Sequence, residues 1–236
     1  SELDNLVRKR VAGLPMEVIV GWAQFHGLRI ALDAEVFVPR RRTEFLVDQA
    51  IELCAAGAVV VDLCCGSGAL GVAVATSANA AHPGTSVELH AADIEHPAVA
   101  CARRNVQPLG GQVYGGDLFE ALPRSLRGRV DVLLANVPYV PTEEIALLPS
   151  EAREHEPLVT LDGGTDGLTV LRRVAADAVA WLAPGGHLFI ETSERQAALA
   201  QQIVSDAGLQ ARVARSEEQD ATVIIGTRSL TVTPSA

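Results

Sequence analysis

An asparagine, a proline and a tyrosine follow one apolar run of the chain, in the order Asn136-Val137-Pro138-Tyr139. The asparagine carbonyl oxygen and the main-chain carbonyl of Val137 can accept both hydrogens of a planar NH2 group, and the tyrosine ring can cover its flat face. Such a grip would turn the nitrogen lone pair toward an electrophile, and positioning alone could supply much of the rate without a strong base. The alternative is a strand terminus with a buried tyrosine.

A glycine-rich loop offers a second site for chemistry. Gly66, Gly68 and Gly71 follow an apolar run and open a helical stretch, and the acidic residue Asp93 ends the next predicted strand. Such glycines let a ligand approach the backbone and the free N–H groups of a helix start, and a carboxylate about 20 residues later accepts from ribose hydroxyls. The glycine pattern alone is weak, but its context predicts a nucleoside-type ligand.

The charge ahead of this loop indicates which nucleoside would bind. Asp62 precedes Gly66 by four residues, where a carboxylate would repel the pyrophosphate of a dinucleotide. It suits S-adenosylmethionine, whose methionyl ammonium and sulfonium are positive, and this is the first motif of class I methyltransferases. Asp117 then stands where it could accept from the adenine amine, with Leu118 beside the ring. The other interpretation of Asp117 is a loop acid that caps a turn.

The four cysteines indicate reduced thiols and a cytoplasmic protein. Cys54, Cys64, Cys65 and Cys101 lack the paired spacing of a zinc site, and two of them are sequence neighbours, which is poor for a disulfide framework. We expect no metal. Cys64 and Cys65 lie in the cofactor loop, where a nucleophilic thiol would need a base or cation nearby. No such group is evident, so the favoured interpretation is that Cys64 and Cys65 are small, neutral side chains that only fill space.

The patterns along the chain predict the elements that position these residues. Short apolar runs alternate with helical stretches, which predicts a mostly parallel sheet with helices on both faces. The last two runs are adjacent, so we expect an antiparallel hairpin at one edge. Residues 3–12 have a helical charge pattern, residues 43–55 are helical, and residues 16–40 show β-rich alternation that predicts a hairpin or small extended subdomain.

The composition limits the partners. A formal net charge of −10 argues against tight, non-specific binding to nucleic acid, which needs a basic face. The arginines of "PRRRTE" (residues 39–44) are either a local basic patch or a solvated turn. No apolar run is long enough to span a bilayer, and no secretory signal opens the chain, so we expect no membrane partner.

With "NVPY" and the glycine loop in one chain, a family resemblance becomes specific. The blocks below resemble the protein-(glutamine-N5) methyltransferases that modify the Gly-Gly-Gln loop of peptide-chain release factors. The resemblance spans residues 10–228 and covers the first-motif loop, the acceptor motif and four further blocks, namely "RVAGLPMEVIVGWAQFHGLRI", "VFVPRRRTEFLV", "REHEPLVTLDGGTDGL" and "APGGHLFIETSERQ".

The resemblance implies a Rossmann-like class I methyltransferase fold, with seven mostly parallel strands, an antiparallel C-terminal edge strand and a small N-terminal helix and hairpin remnant. It implies three regions: residues 1–42, a methyltransferase domain over 43–228 and a flexible tail over 229–236. It implies transfer of a methyl group from S-adenosylmethionine to a glutamine amide of a release factor. The cofactor residues it implies are Asp62, Cys64, Gly66, Ser67, Gly68, Asp93, Ile94, Asp117, Leu118, Asn136 and Thr43, and the acceptor residues are Asn136, Val137, Pro138 and Tyr139.

Departures from the family pattern keep other functions open. Val137 replaces the first proline of the usual pair, "RRRTE" (residues 40–44) lacks the second proline of its block, and "ETS" (residues 191–193) replaces Glu-Ile-Gly. By the resemblance, there are two second-tier site candidates: the segment around Arg40, Thr43 and Glu44, and Glu191, which ends the predicted strand after Gly186. The alternatives are methylation of a small-molecule amine or of adenine in nucleic acid, and a non-catalytic module that keeps the cofactor fold.

Overall fold

The computed structural model describes residues 1–230, without the side chains of residues 150 and 151. Nine strands and eight α-helices of that part are used below. The helices are α1 (Glu2–Val11), α2 (Met16–Val20), α3 (Glu44–Glu52), α4 (Ala69–Ala81), α5 (His96–Val106), α6 (Ser150–His155), α7 (Thr169–Trp181) and α8 (Ala197–Asp206). The strands are β1 (Trp22–Phe25), β2 (Leu28–Ala31), β3 (Val59–Leu63), β4 (Glu88–Asp93), β5 (Gln112–Gly115), β6 (Val130–Ala135), β7 (Leu182–Thr192), β8 (Gln210–Ser216) and β9 (Ala221–Thr227).

Seven strands form one sheet in the order β5-β4-β3-β6-β7-β9-β8. The first five in this order pair in parallel, and β9 runs antiparallel to both β7 and β8. The predicted parallel sheet with a closing antiparallel hairpin is therefore confirmed, with β9 one position in from the edge strand β8. The order reverses at β3 and β6, and ligands of open α/β sheets bind at the carboxyl ends beside such a reversal.

The two faces of the sheet bury separate apolar clusters. All five residues of β3 are buried, as expected for a central parallel strand covered on both sides. Val60 and Leu134 pack with α3 and α4 on one face, while Val61 and Leu133 pack with α7 and α8 on the other. These contacts hold the ends of β3 and β6 at fixed positions, so side chains that follow them share a rigid platform.

The N-terminal region differs from the prediction in one element. Residues 16–20 form the short helix α2, whereas the alternation pattern predicted extended chain from Met16. Gly21 explains the difference, because its left-handed conformation (φ 78°) ends the helix and its N–H bonds the carbonyl of Glu17 at 2.8 Å. The hairpin begins only at Trp22, and its turn at His26 and Gly27 has positive φ at both residues, as a tight two-residue turn requires.

No helix in the described part of the chain is long and apolar enough to cross a membrane. The predicted flexible tail falls mostly on residues 231–236, which lie outside the described residues. The predicted boundary between residues 42 and 43 stays a prediction; a short 3-10 turn at Arg41–Thr43 leads into α3 there.

Candidate active site

A cavity of about 570 Å³ opens at the carboxyl ends of β3, β4 and β6. Its size lies within the usual range for a small-molecule or cofactor site. The structure brings both predicted groups to this cavity, the cofactor loop and the acceptor motif. The predicted residues that line it are Cys64, Gly66, Ser67, Asp93, Ile94, Asp117, Leu118, Asn136, Val137, Pro138 and Tyr139.

The Asp93 carboxylate holds the glycine loop in place through hydrogen bonds to the backbone. One carboxylate oxygen, Oδ2, accepts from the Gly66 N–H at 2.8 Å, and Oδ1 accepts from the Glu95 N–H at 2.9 Å. Gly66 has a positive φ of 54°, and a Cβ built on it would meet no atom within 4 Å, so its Cα faces open space. Burial raises the pKa of Asp93 above its usual value. The loop is thus preformed, with an acid and a glycine side by side on the cavity wall.

Three predicted cofactor residues do not line the cavity. Asp62 is 1% exposed, and its Oδ2 accepts from the Gly71 N–H in the first turn of α4 at 2.9 Å. Gly68 faces α5 instead, because a Cβ there would lie 2.9 Å from Cγ2 of Val106. Thr43 is buried in the turn before α3. These residues support the loop from the side away from the cavity, and no sequence pattern indicates which side they face.

We predict that Asp62 makes the free energy of unfolding pH-dependent. Burial raises the folded pKa of Asp62 to about 8, so the unfolded chain loses this proton at a lower pH than the folded chain. Between the unfolded and folded pKa values the wild type therefore loses stability as pH rises, by up to about 1.4 kcal/mol per pH unit for one proton. Asp62→Asn keeps an oxygen for the Gly71 N–H and should lack this slope. Urea denaturation of both proteins at about pH 5 and about pH 8 measures the difference; parallel pH dependence would contradict it.

Asp117 lies on the cavity wall but already has a partner. Its Oδ2 accepts from Nη2 of Arg173 in α7 at 2.7 Å, and both side chains are more than a third exposed. Arg173 lines the same cavity, and no sequence signal marked it. Leu118 beside Asp117 has a positive φ of 46°. The carboxylate keeps its second oxygen for a ligand, and Arg173 limits its rotation.

The cysteines are free thiols, as predicted, with Cys64 half-buried and the other three buried. Burial together with the carboxylates of Asp93 and Asp62 raises the pKa of both Cys64 and Cys65 well above the usual thiol value. A raised pKa leaves little thiolate, and only the thiolate is an effective nucleophile. The structure therefore fits the interpretation that Cys64 and Cys65 are neutral thiols that fill space and do not act as nucleophiles. Among the described residues, no group of three or more His, Cys, Asp and Glu side chains could hold a metal ion.

The acceptor motif follows β6 rather than continuing it. The strand ends at Ala135, and Asn136 to Tyr139 follow it outside any helix or strand. Asn136 is half-buried, Val137 is 2% exposed, and both line the cavity. Within residues 1–230, no other group is hydrogen-bonded to the Asn136 side-chain amide. Its carbonyl oxygen is thus available to a bound NH2 group.

The "LDGGTDG" segment (residues 161–167) supports this exit, a role that the sequence did not reveal. The Val140 N–H donates to the Leu161 carbonyl at 3.1 Å, and the Gly163 N–H donates to the Val140 carbonyl at 2.8 Å. Gln196 donates from Nε2 to the carbonyl of Tyr139 at 3.0 Å. The segment precedes α7, which begins at Thr169, and its hydrogen bonds to Val140 hold the backbone of the acceptor motif in place.

Two of the three arginines at residues 40–42 are held in ion pairs, so the segment is not a free basic patch. Arg40 pairs with Glu156 across the cavity wall, and Arg42 pairs with Glu191 at 3.1 Å. Arg41 is exposed. The second-tier candidate Arg40 thus lines the cavity, and Glu191 lies behind it, joined to the cavity-lining Arg42, through contacts between segments more than a hundred residues apart.

The comparisons with known proteins agree with this geometry. The family described as "Methyltransferase small domain" matches residues 40–148. The release factor glutamine methyltransferase of Gloeobacter violaceus is 41% identical over 202 residues, which cover 83% of this chain and 68% of that protein. The chain belongs to the release factor glutamine methyltransferase family. It spans about two thirds of the length of that relative and is, as predicted, a methyltransferase.

Two further comparisons give a relative that is named for another substrate and a solved structure with a similar fold. The 4-amino-L-phenylalanine/4-methylamino-L-phenylalanine methyltransferase of Streptomyces pristinaespiralis is 37% identical over 201 residues, 82% of this chain and 66% of that protein. The 16S rRNA N2 G1207 methyltransferase of T. thermophilus, solved with AdoMet and guanosine, has a TM-score of 0.62 at 17% identity, covering 88% of this chain and 49% of that chain. The latter shows the fold alone, and the predicted class I methyltransferase fold is confirmed.

Proposed function

We propose that this chain transfers a methyl group from S-adenosylmethionine to the side-chain amide nitrogen of a glutamine in a protein, namely the Gly-Gly-Gln loop of a peptide-chain release factor. The observation that supports it best is the placement of Asn136 and the Asp93 loop on one cavity. A donor site and an amide-binding site are thereby adjacent, as direct transfer requires. We place this activity in the cytoplasm, where release factors act and free thiols persist.

The residues on the cavity wall fit S-adenosylmethionine. Asp93 and Asp117 offer carboxylate oxygens for ribose hydroxyls and an adenine amine, and Ile94 and Leu118 offer apolar surface for a ring. Gly66 leaves room for close approach of a ligand to the backbone. When bound, the cofactor supplies an electrophilic methyl group on a positively charged sulfur. The Asp93 carboxyl group, which accepts from two backbone N–H groups, disfavours an anionic ligand group beside it.

Asn136 and Val137 orient the acceptor in this proposal. The Asn136 carbonyl oxygen and the Val137 carbonyl each accept one hydrogen of the acceptor NH2 group, which leaves the nitrogen lone pair directed away from both. Tyr139 covers the face of the amide. An amide nitrogen is a weak nucleophile, so its rate depends on alignment with the methyl group and on exclusion of water. Neither Asn136 nor Tyr139 needs to remove a proton before transfer.

A small-molecule aromatic amine is the second candidate acceptor. It is favoured by the 37% identity to the enzyme named for 4-amino-L-phenylalanine, a compound that carries an aromatic NH2 group. Methylation of adenine in nucleic acid is disfavoured, because phosphate contacts supply much of that affinity and this chain has a net charge of −10.

A competition assay separates these candidates. The protein is incubated with methyl-labelled S-adenosylmethionine, a bacterial release factor and 4-amino-L-phenylalanine together, and label is counted in the protein and small-molecule fractions. Label in the release factor supports the proposal. Label in the amino acid alone, with the release factor unmodified, would replace the proposed substrate with the second candidate.

A further inference from the structure

Three side chains from distant segments meet at the acceptor motif. Arg42 comes from the turn before α3, Tyr139 from the exit of β6, and Glu191 from the penultimate position of β7. The Tyr139 hydroxyl accepts from Nη2 of Arg42 at 2.5 Å and donates to Oε1 of Glu191 at 2.9 Å. Nε of Arg42 donates to the same Oε1 at 3.1 Å. The three groups therefore form a closed ring of hydrogen bonds, called here the tyrosine clamp.

This clamp restrains the side chain of Tyr139, which lines the cavity. Fixing the hydroxyl at one end and the backbone at the other fixes the direction of the Cβ–Oη axis of Tyr139, and the Arg42 guanidinium, 5.8 Å from the ring centre, limits rotation of the ring about that axis. The hydroxyl uses both its donor and one acceptor site in the clamp. Gln196 and the 161–167 segment fix the backbone at the other end. The ring can then present one face to the acceptor position beside Asn136.

Charge and burial make the clamp a coupled unit. The Glu191 side chain is 3% exposed, and the Arg42 side chain is 46% exposed and neutralises it from the solvent side. The Arg42 guanidinium carbon also lies 5.8 Å from the centre of the Tyr139 ring. Burial and the Glu191 charge raise the pKa of Tyr139, so its hydroxyl keeps the proton that it donates. Removing either charged partner leaves the other without its counter-charge.

We propose that Arg42 and Glu191 are positioning residues for methyl transfer, which hold the Tyr139 ring against the acceptor NH2 group. Neither residue contacts the reacting atoms in this assignment. Glu191 lines a second, smaller cavity behind the clamp and not the main cavity, whereas Arg42 and Tyr139 line both. As a claim about methyl transfer, the inference rests on the function proposed above. As a claim about the Tyr139 ring, it rests on the clamp geometry alone.

A double-mutant cycle tests the catalytic part. Arg42→Ala should lower kcat for methyl transfer about tenfold by misplacing the ring, with the affinity for S-adenosylhomocysteine unchanged within about twofold. In a Tyr139→Phe background, which already lacks the hydroxyl, Arg42→Ala should cost less than about twofold more. Arg41→Ala, at the exposed neighbour, is the matched control and should have no effect. Glu191→Gln, which keeps an oxygen acceptor, should retain more activity than Glu191→Ala. Independent, multiplicative losses for Arg42→Ala and Tyr139→Phe would overturn the inference.

A spectroscopic readout needs no acceptor. The chain has only two tyrosines, Tyr114 and Tyr139, so fluorotyrosine labelling gives two fluorine resonances that Tyr139→Phe assigns. Arg42→Ala should shift and broaden the Tyr139 resonance and leave Tyr114 unchanged. An unmoved Tyr139 resonance would overturn the clamp whatever the substrate is. A moved resonance together with an unmethylated release factor would keep the clamp and refute the proposed substrate.

Discussion

Asn136→Ala should lower the rate of methyl transfer about 10²–10³-fold and leave S-adenosylhomocysteine affinity within about twofold of the wild type. The side-chain oxygen of Asn136 is the polar group that the cavity offers to an acceptor amide, and truncation removes one of its two orienting hydrogen bonds. The Asp93 loop, which we assign to the cofactor, is hydrogen-bonded independently of Asn136. Single-turnover kinetics with a release factor, and calorimetry with the cofactor product, measure the two quantities.

Val137→Pro is the companion variant. It keeps the main-chain carbonyl that we assign to the acceptor and restores the residue typical of the family motif. We expect its transfer rate to lie within about threefold of the wild type, since the ring only restricts a backbone that is already clamped. If Asn136→Ala weakened cofactor binding as much as it slowed transfer, the division of roles between the loop and the acceptor motif would be wrong.

Gly167→Ala should destabilise the protein by about 2–4 kcal/mol and slow transfer as well. Gly167 has a φ of 75°, and a Cβ there would lie 2.3 Å from the Tyr139 carbonyl oxygen and 2.3 Å from Nε2 of Gln196. The added methyl group must therefore push the backbone of the acceptor motif or break the Gln196 bond. Equilibrium denaturation gives the change in unfolding free energy, and the single-turnover rate gives the displacement of the acceptor site.

Gly128→Ala provides the matched control. Gly128 has a φ of 72°, but a Cβ there would meet nothing within 4 Å, and the residue precedes β6 at the end of the sheet away from the cavity. Its replacement should cost only the backbone strain of about 1 kcal/mol and leave the transfer rate unchanged. Equal losses of stability for both variants would show that the close approach of Gly167 to Tyr139 is not what matters.

Much of the fold was predictable because its determinants are local. The apolar run of β3 followed by glycines and a helical stretch predicted the strand, loop and helix that the structure contains. The two adjacent runs at the end predicted β8 and β9, because a pair without an intervening helix can only pair as a hairpin. The prediction of extended chain at Met16 was wrong because alternation over so few residues also fits one helical turn between a proline and a glycine.

The site was less predictable where it depends on which way a side chain faces. Motif spacing placed Asp62 in the cofactor loop, but the carboxylate turns back to the start of α4. Gly68 matched the motif equally well, yet it is required by the approach of α5. The tyrosine clamp joins Arg42 to residues 97 and 149 positions later, and no local pattern encodes such a contact.

Tandem mass spectrometry of a bacterial release factor, after incubation with this protein and S-adenosylmethionine, tests the proposed glutamine methylation itself. We expect one added methyl group on the side chain of the glutamine in the Gly-Gly-Gln loop, and no such product with Asn136→Ala. An unmodified glutamine, under conditions where calorimetry shows the cofactor bound to the wild type, would contradict it.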